Sequence, residues 1–105
     1  MARVAQQKEK DFDSIKSRFD FLDMRDDMKN KWVQLALESY KKKYDQELKY
    51  YKDMAEFIKN ELDKLYTGSW HVTVGTHFGA FWTYEVRSIC LFWLEHIGFL
   101  IFKHG

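Results

Sequence analysis

A largely apolar series recurs at intervals of three and four along the first part of the chain, at Met28, Trp32, Leu35, Ala36 and Ser39 or Tyr40. That is the spacing of one face of an α-helix. Asp26 and Asp27 stand where a helix N-terminus favours acids, and Asp23 precedes them, so a first helix is predicted from Asp23 or Met24. A second series, Tyr51, Met54, Ala55, Ile58, Leu62, Leu65 and Tyr66, lies opposite Lys52, Glu56, Lys59, Asn60 and Asp63. Gly68 is free to adopt the left-handed backbone that ends this second helix.

From there the period becomes two. Trp70, Val72 and Val74 alternate with His71 and Thr73, Gly75 interrupts, and residues 78–83, 87–94 and 97–102 form three further runs. Glu95-His96 separates the last two, a gap short enough for a tight hairpin. Two helices followed by four strands predict an α+β fold, an antiparallel sheet with the helices packed against it. Residues 1 to about 16 hold no sustained period and read as a tail or a frayed helix. Residues 1–22 are accordingly taken as a partly flexible N-terminal extension, and 23–105 as the domain.

The chain has 105 residues, 46% of them hydrophobic and 18% aromatic, which suits one compact core. Proline is absent, so long uninterrupted elements are permitted. A formal charge of +1 lacks the excess of Lys and Arg that phosphate binding demands, and no nucleic-acid partner is expected. Within residues 65–105 the acidic and basic side chains are Glu85, Arg87, Glu95 and Lys103, so this half should be the buried one. The longest apolar stretch, residues 97–102, falls far short of the roughly 20 residues that span a bilayer, and no membrane insertion is expected. A lone cysteine, Cys90, and an N-terminus without a charged-then-apolar leader fit a reducing cytosol.

Little in the chain invites catalysis. Lys41-Lys42-Lys43 is followed at once by Asp45 and Glu47 and reads as a solvated helix end. His71, His77, His96 and His104 have no Cys or Asp at ligand spacing, so no metal is expected. Gly75 and Gly79 flank Thr76-His77-Phe78 without a following Gly-Lys-Ser/Thr, which excludes a phosphate loop. With no nucleophile beside a base, the chain is expected to be no enzyme and to need no cofactor. Cys90, within Ile89-Cys90-Leu91-Phe92, is expected to pack in the core. Residues 78–83 carry no charge, and as a free edge they would template aggregation. They should therefore be paired, whether by their own sheet, by a second copy of the chain or by a peptide.

The run Lys59-Asn60-Glu61-Leu62-Asp63-Lys64-Leu65-Tyr66, then Ser69-Trp70-His71-Val72-Thr73-Val74-Gly75 and His77-Phe78-Gly79, closing on Phe102-Lys103-His104-Gly105, resembles the eight-kilodalton dynein light chain family. The likeness is close over residues 54–105 and looser over 23–40. It implies a strand-exchanged homodimer in which residues 78–83 cross to the other subunit, with an interface that includes His71, Gly75, Phe78, Phe81, Thr83 and His104. It also implies a groove where partner peptides add an antiparallel strand. The groove edge maps to His77, Phe78, Gly79, Ala80, Phe81, Trp82, Thr83 and Tyr84, its floor to Ile89, Leu91 and Trp93, and its far wall to Tyr51, Lys52 and Asp53.

By the same resemblance the partners are dynein intermediate or heavy chain segments and other extended peptides, and the place is the cytoplasm and cytoskeleton, including axonemal dynein. A motor-independent dimerisation hub or a membrane-skeleton protein is the alternative. The sequence departs from the family where serine-tyrosine is Ala80-Phe81, a histidine is Tyr84, and two groove tyrosines are Leu91 and Trp93. A threonine-glutamine-threonine peptide core would lose hydrogen bonds worth on the order of 1 kcal/mol each, so selectivity should differ.

Overall fold

The computed structural model describes residues 10–76 and 88–104. A short 3-10 turn, Phe12–Ser14, leads into strand β1 (Ser17–Met24), helices α1 (Asp26–Tyr44) and α2 (Tyr51–Leu65), and strands β2 (Trp70–Gly75), β3 (Ser88–Leu94) and β4 (Ile97–Lys103). These strands form one antiparallel sheet in the order β1-β3-β4-β2. The predicted α+β arrangement is what the structure shows. No helix among the described residues is long and apolar enough to cross a membrane.

Both helices pack on one face of this sheet. Trp32, Leu35, Ala36 and Tyr40 from α1 and Met54, Ile58 and Leu62 from α2 join Trp70, Cys90, Phe92, Leu94, Ile97, Phe99 and Ile101 in one buried cluster. Phe92 and Phe99, directly opposite in the ladder, stack at 5.3 Å. Trp32 meets Trp70 edge to face at 5.2 Å, fastening α1 to β2. Cys90 sits fully inside, as its neighbours predicted, and burial pushes its thiol pKa up to about 12.

Helix α1 begins at Asp26, later than the sequence pattern placed it, because Asp23 and Met24 are paired with Ile89 and Ser88 as the end of β1. Asp26 and Asp27 occupy its first turn and Lys41, Lys42 and Lys43 its last, each sign favouring the helix dipole. Gln46 then turns left-handed with φ 67°, and the chain reverses. Helix α2 is opened by the Asp53 carboxylate, which accepts the backbone N–H groups of Lys49 and Tyr50. It stops at Leu65, and Gly68 follows with φ 106°, the left-handed position expected of it.

Strand β1 falls largely within residues 1–22, taken from the sequence as an N-terminal extension. It pairs with β3 over its whole length, interrupted by a bulge between Phe19 and Phe21 that leaves Asp20 without a partner position. The strand anticipated at residues 78–83 lies outside the described residues.

Candidate functional site

Alternation sorts the sheet into two faces. The helices cover Phe92, Leu94, Phe99 and Ile101, so Ile89, Leu91 and Trp93 of β3 project from the other, outer face. Opposite them in register stand Phe102, Leu100 and Gly98 of β4, and beyond those His71, Thr73 and Gly75 of β2. Ile89 and Leu100 are buried within the single chain, whereas Leu91 and Trp93 are half-buried. The anticipated groove floor is thus one apolar strip of the outer face.

The anticipated far wall is elsewhere. Tyr51 packs against the core cluster on the helix side, with the Lys43 ammonium 5.1 Å from its ring centroid. Lys52 is exposed and lies over the Tyr50 ring at 5.7 Å. Asp53 is committed to capping α2. Floor and wall stand on opposite sides of the sheet, so one chain does not bring them into a single cleft. The edge residues His77, Phe78, Gly79, Ala80, Phe81, Trp82, Thr83 and Tyr84 lie outside the described residues.

Of the residues expected at a dimer interface, His71 is exposed on the outer face, stacked on Phe102 at 5.0 Å and 6.5 Å from the His104 ring. Gly75 ends β2 opposite Gly98. Phe78, Phe81 and Thr83 lie outside the described residues. Among the described residues no three His, Cys, Asp or Glu side chains converge as a metal site requires.

Sequence reasoning missed a cluster around Trp93. Its indole N–H donates to Asp20 Oδ2 at 2.7 Å, while Asp20 Oδ1 accepts from Arg18 Nη1 at 2.8 Å. The Arg18 guanidinium lies 5.5 Å from the Trp93 ring. Beneath, the ring rests on Gly98, where an added Cβ would come within 2.8 Å of two indole carbons. The bulge in β1 supplies the cause, since an extra residue re-aims the side chain it carries. Trp93 is held flat, sandwiched and tied.

A second cluster anchors the β3–β4 turn. Tyr40 donates its hydroxyl to Glu95 Oε1 at 2.6 Å, and Lys10 Nζ reaches the same oxygen at 3.0 Å. Phe12 sits edge-on to Tyr40 at 5.2 Å and to Tyr44 at 5.6 Å, pinning the chain's entry onto α1. The Tyr40 hydrogen bond, and Lys10 after it, hold the Glu95 carboxyl below the usual carboxylate range.

The family described as dynein light chain type 1 matches residues 16–104. The chain belongs to the dynein light chain family. It is 35% identical to the cytoplasmic dynein light chain of Emericella nidulans over 87% of this chain and 92% of that protein. It is also 46% identical to cytoplasmic dynein light chain 1 of Debaryomyces hansenii, over 51% of this chain and 59% of that protein. Among solved structures, the dynein light chain-like domain of the Fasciola hepatica calcium binding protein FhCaBP2 superposes with a TM-score of 0.68 at 16% identity. That superposition covers 93% of this chain and all of that domain. The family match begins at residue 16, so in this light chain β1 falls inside the family's extent.

Proposed function

We propose that this light chain is a non-catalytic homodimeric adaptor in a cytoplasmic dynein complex, holding extended partner segments by strand addition. The observation that carries the reading is the difference between the two edges of the sheet. At one edge β1 bears Arg18, Asp20 and Asp23 and a bulge, the features that discourage further pairing. At the other, β2 is an unbroken six-pair ladder without a Lys, Arg, Asp or Glu, and among the described residues it has β4 alone as neighbour. An edge of that kind accepts another strand.

Two further features support a dimer. The outer face is apolar at Leu91, Trp93, Leu100 and Phe102, a strip that a second copy would cover. Because β2 and β3 both run antiparallel to β4, Gly75 and Ser88 stand at opposite ends of the sheet. Residues 78–83 lie between them in sequence, and we assign them the exchanged strand. The groove then forms between copies, with the wall at Tyr51 and Lys52 contributed across the dimer, which resolves their separation from the floor within one chain.

Sedimentation velocity at micromolar concentration near neutral pH should give a dimer, and a peptide array should yield extended binders. A monomer throughout would overturn the reading. Co-sedimentation with a dynein heavy chain tests the motor assignment, and its absence alongside retained peptide binding would leave a free-standing hub.

A further inference from the structure

The corner where α1 gives way to α2 carries more positive charge than its helix ends call for. Residues 41–52 hold five lysines against Asp45 and Glu47, an excess of three in a chain whose whole formal charge is +1. The dipole of α1 accounts for Lys41, Lys42 and Lys43 in its last turn. Lys49 and Lys52 have no such reason. One stands just before the N-cap of α2 and the other in its first turn, the end of a helix that favours acids.

These ammonium groups lie largely over rings. Lys43 is 5.1 Å from the Tyr51 ring centroid, Lys42 5.6 Å from that of Phe57 and Lys52 5.7 Å from that of Tyr50. The first two contacts cross from α1 to α2, so lysines of both helices share one surface. A ring face attracts the charge yet leaves N–H groups able to bond a carboxylate. Among the described residues one ion pair forms at this corner, Lys42 with Glu47 at 3.5 Å. Asp53, beside Lys52 in sequence, accepts from the backbone of Lys49 and Tyr50 instead. Tyr50 is 58% exposed, whereas Leu48 turns inward and packs against the core.

We propose that this corner is a second docking surface and that its occupant is an acidic segment of a partner protein, with Asp or Glu side chains on Lys43, Lys49 and Lys52 and an apolar side chain against Tyr50. The proposal goes beyond strand addition, because side-chain carboxylates make these contacts and an added strand is held through its main chain. Two acids interleaved with the lysines and a whole-chain charge of +1 disfavour a phosphate backbone. Tyr51 and Phe57, half-buried beneath their lysines, offer no open face to stacked bases or to a bilayer surface.

The test is fluorescence anisotropy of the intact protein with two labelled peptides of equal length. One alternates Glu and Ser around a central Leu, and the other carries Gln at every Glu. The Glu peptide should bind at least about tenfold tighter at low salt, and the gap should narrow as salt is raised. Lys43→Gln with Lys49→Gln should remove most of that preference, and Lys43→Arg with Lys49→Arg should keep it. Lys49→Gln alone, at an exposed side chain in no ion pair, should already narrow it about threefold. Lys16→Gln with Lys31→Gln removes as much charge elsewhere and should leave the preference intact. Lys52, which the groove wall shares, is left unaltered throughout, so strand addition stands or falls separately. Equal affinities for the two peptides overturn the inference, and so does an equal loss in the two Gln pairs, which would reduce the surface to net charge. Tighter binding of an oligothymidylate or of phosphatidylserine vesicles than of the Glu peptide overturns the choice of occupant.

Discussion

Glu95 is a non-glycine residue at the first position of the β3–β4 turn with φ 57°, and replacing it with glycine sets two physical effects against each other. The left-handed backbone costs a residue with a β-carbon roughly 1–2 kcal/mol, which Glu95→Gly would relieve. The same change strips the acceptor from Tyr40, a residue only 7% exposed whose hydroxyl donates at 2.6 Å. A hydrogen bond to a charged group contributes about 1.5–3 kcal/mol, and glycine adds entropy to the unfolded chain. The Lys10 ion pair, 28% and 40% exposed on its two sides, adds less than about 1 kcal/mol after solvent screening. The losses outweigh the relief, and Glu95→Gly should destabilise the fold by about 1 kcal/mol.

Urea denaturation at one fixed protein concentration reads this as a lower midpoint at unchanged slope. With Tyr40→Phe already present the hydroxyl no longer needs an acceptor, so Glu95→Gly should then become neutral or stabilising. The pH dependence has a defined sign. A carboxyl whose folded pKa is lowered contributes stability that is present above its unfolded pKa of about 4.3 and is lost as pH falls through the folded value. Tyr40, raised by burial and then by Glu95, contributes stability present below its unfolded pKa of about 10 and lost at higher pH. The gap between wild type and Glu95→Gly should therefore be flat near neutrality and close at both extremes. A midpoint that rises in Glu95→Gly alone would show that backbone strain, and not the Tyr40 bond, governs the turn.

Gly98→Ala should cost about 1–3 kcal/mol by thermal or urea melting, since its Cβ would meet indole carbons at 2.8 Å and the ring cannot yield without breaking its bond to Asp20. An unchanged melt would mean that the indole is loosely held. Cys90, with its pKa pushed up to about 12 by burial, should react with a thiol reagent at pH 8 only as fast as the protein opens. Rapid stoichiometric labelling of the native protein would contradict that. His71→Lys should shift sedimentation toward monomer at pH 7 by placing permanent like charges at the proposed interface; an undisturbed dimer would remove His71 from it.

The helices and β2 were legible because each keeps one period from end to end, and β3 and β4 because each is an unbroken apolar run set off by Glu95-His96. Met54, Ile58 and Leu62 repeat every four residues, Trp70, Val72 and Val74 every two, and all six belong to the core or pack against it. Strand β1 was illegible for a specific reason. Phe19 faces inward opposite Phe92, but the bulge puts Phe21 on the outer face opposite Leu91 and returns Leu22 and Met24 to the inner side. The alternation reverses in mid-strand, and a reversed alternation of period two reads as no period at all. The Tyr40–Glu95 bond, joining residues 55 apart in sequence, leaves no local trace either. Glu95 does carry a weak one, in that glycine is the usual residue where a hairpin turn needs positive φ.

The bulge that hid β1 from the sequence reading also determines how the sheet can be used. By inserting Asp20 it interrupts the regular β1–β3 ladder and at the same time carries a carboxylate to the Trp93 N–H. One inserted residue thus disfavours strand addition at the β1 edge and occupies the indole donor on the face beside it. What remains for a partner is main-chain hydrogen bonding at the uncharged β2 edge. Affinity at that edge would then come from backbone pairing, a contribution that follows from which of its two edges this chain leaves uncharged.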